Sequence, residues 1–71
     1  MKLKNKSPLE TLDIISWLIR NVGEQMPGYS TGMRGYGWSV HYNSVTECYD
    51  VYLEDDLVDE ETQTLFALTC A

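Results

Sequence analysis

Residues 36–53 constrain the fold of this chain most tightly. In YGWSVHYN, Tyr36, Trp38, Val40 and Tyr42 alternate with Gly37, Ser39 and His41; in VTECYDVYLE, Val45, Tyr49, Val51 and Leu53 share one parity, and Thr46, Cys48, Asp50 and Tyr52 the other. A period of two places each apolar set on one face of a strand, so the stretch predicts a β-hairpin over about 36–53 with one face buried. Two-residue and four-residue connections both keep the apolar sets together. Asn43-Ser44 is a weaker tight-turn pair than Asn-Gly, which favours the four-residue form. That register sets Trp38 opposite Val51, Val40 opposite Tyr49 and His41 opposite Cys48.

A lone hairpin is marginal in water and needs cover for its apolar face. The cover lies upstream. Ser7-Pro8-Leu9-Glu10 offers a Ser N-cap, a Pro at the first helical position and a Glu three residues past the cap, so the free N–H groups of the first turn find acceptors. Leu12, Ile15, Ile19 and Val22, with Leu18 beside them, form an apolar stripe, and Gly23 and Pro27 end the element, which predicts a helix over about 8–23. Trp17 falls on nearly the opposite side from that stripe, with Ile14 at its flank. Either other segments wrap around the helix and bury them, or Ile14 and Trp17 belong to an interface, where Trp is enriched.

Residues 1–6 read as a basic, flexible N-terminus, and 24–35 as a glycine-rich loop. The segment 26–37 holds four of the five glycines and sets Arg34 between Tyr29 and Tyr36, without the Gly-Lys-Ser/Thr ending of a phosphate loop. The C-terminal DEETQTLFALTCA is ambiguous. Asp59 followed by Glu60 and Glu61 suits a helix start, whereas Thr62, Thr64, Phe66 and Thr69 favour a strand. A third antiparallel strand is the expected form, with a helix as the alternative. The fold class is therefore α+β: one small domain of 71 residues, its N-terminal helix packed on a small antiparallel sheet.

Charge divides the chain sharply. Up to Arg34 there are five basic residues and three acids, a net +2; from Gly35 onward there are eight acids and no Lys or Arg, a net −8. Six of the acids fall in the eight positions of EDDLVDEE, residues 54–61. A field of that sign repels nucleic acid and anionic membrane surfaces and attracts basic protein surfaces. The sequence contains no apolar run long enough to span a bilayer, and no apolar signal segment follows Met1, so a reducing, cytoplasmic setting is expected.

No motif for chemistry holds up. A calcium loop begun at Asp55 would put Leu57 at its third position and Glu60 at its sixth, where Gly is required. Cys48, Cys70 and His41 lack the paired spacing of a zinc site. A His41–Cys48 pair would still need an oxyanion site and a substrate cleft, for which so small a domain has little room. The expected function is therefore non-enzymatic and free of cofactors: a protein-binding module for a basic partner, engaged through Glu47, Asp50, Glu54, Asp55, Asp56, Asp59, Glu60 and Glu61, with Ile14 and Trp17 as apolar contacts. In charge layout it resembles small acidic inhibitors whose carboxylates stand in for phosphates on a basic nucleic-acid-binding protein. The alternative is a homodimeric accessory subunit, and solubility alone also accounts for many acidic surfaces.

Overall fold

The computed structural model describes residues 1–27 and 32–70; Tyr29 lies outside them. In chain order the elements are β1 (Lys2–Lys6), α1 (Pro8–Asn21), β2 (Gln25–Met26), β3 (Gly32–Gly35), β4 (Trp38–Asn43), β5 (Cys48–Leu53) and α2 (Glu60–Cys70). The strands form one antiparallel sheet in the order β1-β5-β4-β3-β2. Strands β2 to β5 are a meander, and β1 closes on the free edge of β5. The chain must therefore cross from one sheet edge to the other between β1 and β2. Five strands separate the edges by about 19 Å, and a helix of 14 residues is about 21 Å long. Helix α1 thus spans the sheet, giving the α+β architecture.

Its start is built as the sequence predicts. Ser7 Oγ accepts the Glu10 amide at 3.2 Å, and the Glu10 carboxylate accepts the Ser7 amide at 3.3 Å. That hydrogen bonding to Ser7 holds the Glu10 carboxyl below its usual range.

The buried face of α1 differs from the expected stripe. Thr11, Ile14, Ile15 and Leu18 point inward, while Leu12 is 61% and Ile19 40% exposed. The cause is α2. Its Phe66, fully buried, lies against Trp17 with ring centroids 5.7 Å apart, which draws the Ile14 side of α1 into the core and turns Leu12 and Ile19 out. Trp38, Val40, Val51, Leu53 and Val58 complete that core.

The hairpin has the expected four-residue connection, shifted by two positions in register. Trp38 pairs with Leu53, Val40 with Val51 and Asn43 with Cys48, leaving 44–47 as the loop. Local chemistry sets the shift: Asn43 Oδ1 accepts the amides of Val45 and Thr46 at 2.9 and 3.4 Å, and Glu47 closes the turn at φ 56°. Parity is unchanged, so the apolar sets still meet.

Three expectations fail for non-local reasons. Residues 1–6 are not a flexible arm, because β1 supplies the partner that β5 requires; Leu3 packs on the core and Lys2 sits over the Tyr52 ring at 5.0 Å. Lysines on such an edge discourage further strand pairing. The expected loop over 24–35 contains β2 and β3, joined to β4 through a tight turn at Tyr36-Gly37, where Gly37 takes φ 82°. The C-terminal segment is a helix, not a strand. The edge of β5 that it would have paired is already taken by β1, and Asp59 accepts the Thr62 amide at 2.8 Å as an N-cap.

Candidate protein-binding site

The acidic stretch begins where β5 ends. Leu53 donates its amide to Met1 O at 2.8 Å and Glu54 donates to Gly37 O at 3.0 Å, so the strand's exit is tied to two neighbours. The amides of Leu57 and Val58 both donate to Glu54 O at 3.1 Å, forming a single tight turn. Val58 is 6% exposed and anchors that turn in the core, whereas Leu57 is 48% exposed and stands among the carboxylates. Asp59 then caps α2, and the Gln63 side chain donates to Val58 O at 2.8 Å. The hydrogen bond from Thr62 keeps the Asp59 carboxyl below its usual range. Glu60 and Glu61 fill the first helical turn, where negative charge faces the positive end of the helix dipole.

The outcome is a loop and helix start, fixed at both ends, whose six carboxylates, on Glu54, Asp55, Asp56, Asp59, Glu60 and Glu61, are all exposed. Asp55, Asp56, Leu57, Asp59 and Glu60 line an open depression of about 650 Å³. The Met1 amino group meets Asp55 at 2.8 Å. Among the described residues no cation reaches Glu54, Asp56, Glu60 or Glu61. Three of the five basic side chains are engaged elsewhere: Lys2 on Tyr52, Lys6 with Glu10 at 3.8 Å, and Arg20 on Ser16 O at 3.3 Å.

Four of the ten residues singled out from the sequence do not join this cluster. Glu47 lies in the loop at the opposite end of β5, about 20 Å away by strand rise. Asp50 points to the other face of β5, opposite His41, and accepts the Asn5 amide at 3.1 Å. Ile14 is 4% exposed and belongs to the core, so it offers no surface; Trp17 is half-buried against Phe66. Leu57 is the residue that sequence reasoning missed. Its signal was present, an apolar side chain beside a second one within an acidic run, of which only one can turn inward.

The expected proximity of His41 and Cys48 is also removed by the register, since His41 faces Asp50 and Cys48 faces Asn43. Burial pushes the Cys70 thiol up, away from the reactive thiolate. Among the described residues no three His, Cys, Asp or Glu side chains converge as metal ligands would. No helix among them is long and apolar enough to cross a membrane. No protein-family model, curated protein or solved structure matches the chain.

Proposed function

We propose that the chain is a non-enzymatic module that binds a basic protein through residues 54–61, and that its most concrete form is an inhibitor occupying the nucleic-acid-binding surface of that protein. The observation that carries this reading is the fixed, exposed array of carboxylates with so little intramolecular compensation. Like charges held together repel one another, and a cationic partner relieves that cost. Because the loop is tied down by Val58, Asp59 and the Glu54 turn, docking would order little backbone, which favours affinity. Leu57 supplies an apolar contact at the centre of the charged rim, the arrangement typical of protein interfaces.

The test is capture from the native host's lysate at low and high salt, with the parent chain as bait beside a variant carrying Glu54→Gln, Asp55→Asn and Asp56→Asn. The parent is expected to retain a basic, nucleic-acid-binding protein at low salt, released by high salt and by added DNA or RNA. Equal capture by both baits would remove the acidic loop as the docking surface.

A further inference from the structure

Helix α1 carries a second apolar face that the core does not use. Leu9 is 77%, Leu12 61% and Ile19 40% exposed. With the exposed Ser16 they recur at intervals of three, four and three residues, which is the seam spacing of paired helices. On this seam Leu9, Leu12 and Ile19 lie away from Ile14 and Trp17, which pack toward α2, whereas Ser16, with the neighbouring Asp13 and Arg20, borders the open cleft between α1 and Thr69 and Cys70 at the end of α2. Beside the seam runs an apolar groove of about 350 Å³ lined by Pro8, Leu12, Ile15, Met33, Val40 and Tyr49. The surface is therefore a ridge with a groove alongside.

We propose that this seam pairs two copies of the chain, with the α1 helices antiparallel about a two-fold axis near Ser16. Charge decides the occupant and the direction. Asp13 and Arg20 each follow a seam residue, Leu12 and Ile19, by one position, so both border the seam on the same side. An antiparallel pair sets Asp13 beside the partner's Arg20, and the two-fold axis makes that contact twice. A parallel pair would set Asp13 against the partner's Pro8 and Arg20 against its Ile15, which offer no charge. Among the described residues Arg20 meets no carboxylate of its own chain.

Ser16 suits the crossing point. It is small enough for close approach of the helices, and its hydroxyl already donates to Leu12 O at 3.1 Å, so covering it strands no donor. Leu12 of each copy lies opposite the partner's Ile19 in this arrangement. The proposal is independent of the acidic loop, which belongs to the turn between β5 and α2.

Sedimentation equilibrium of the full chain from micromolar to near-millimolar concentration tests it. The mass is expected to rise towards twice the monomer value. Leu12→Glu places a charge in the seam twice per dimer and should weaken association at least about a hundredfold, with unchanged circular dichroism because Leu12 is exposed in the single chain. Arg20→Asp alone should also weaken association, and adding Asp13→Arg should restore it. A parent that stays monomeric throughout, whether or not it binds some other helix, overturns the proposal. So does a dimer indifferent to Leu12→Glu, or a double variant no tighter than Arg20→Asp.

Discussion

Trp38→Ala is expected to remove a large part of the chain's stability. The indole is fully buried, and its N–H donates to Gly23 O at 2.8 Å, tying the start of β4 to the end of α1. The ring also lies flat against Gly35, where an added Cβ would stand 2.1 Å from Trp38 Cε2. Truncating a buried Trp costs about 3–5 kcal/mol. A domain of 71 residues is expected to have only about 4–10 kcal/mol in total. Gly35→Ala should destabilise from the other side, by about 1–3 kcal/mol or more, because neither the indole nor the paired backbone can withdraw. Urea unfolding followed by circular dichroism measures both. A Trp38→Ala chain that unfolds at the parent's midpoint would show that this contact is not central to the core.

Phe66→Ala should be nearly as damaging, although it changes the last helix and no strand. Phe66 is the one buried residue of α2, and it packs on Trp17 at 5.7 Å. Removing the ring costs about 3–5 kcal/mol and opens a cavity between the helices. With Leu65 48% and Leu68 79% exposed, α2 has little else to hold it. The expected result is loss of helical signal, a lower melting temperature and red-shifted Trp17 emission as water reaches the indole. A parent-like melting curve would mean that α2 contributes nothing to the fold.

What the sequence revealed follows from how local each determinant is. The start of α1 was legible because Ser7, Pro8 and Glu10 satisfy one another within a single turn. The hairpin was legible because parity survives any even shift of register. The position of its loop was not, since it depends on the Asn43 side chain and on a left-handed Glu47. The buried sector of α1 was misread because its position depends on Phe66, far away in sequence. Strand β1 has one apolar residue, Leu3, among its lysines and asparagine, so no alternation announces it. Once β1 occupies the edge of β5, the β-propensity of Thr62, Thr64 and Phe66 has no ladder to join, and the Asp59 cap prevails. The acidic cluster was legible as far as it is contiguous. Grouping Glu47 and Asp50 with it failed because an extended strand separates one and the alternation of faces turns away the other.

The acidic loop as a docking surface is tested most directly by the kinetics of binding to the captured basic protein, for the parent and for the Glu54→Gln, Asp55→Asn, Asp56→Asn variant. Exposed charges steer encounter more than they hold a complex. The variant should therefore associate at least about tenfold more slowly at low salt, with a smaller change in dissociation, and the difference should shrink as salt rises past the screening regime. Its melting temperature should be unchanged or slightly higher, since repulsion is reduced and no buried contact is lost. A variant that binds the same protein as fast and as tightly as the parent at low salt would contradict the assignment of residues 54–61 as the binding site.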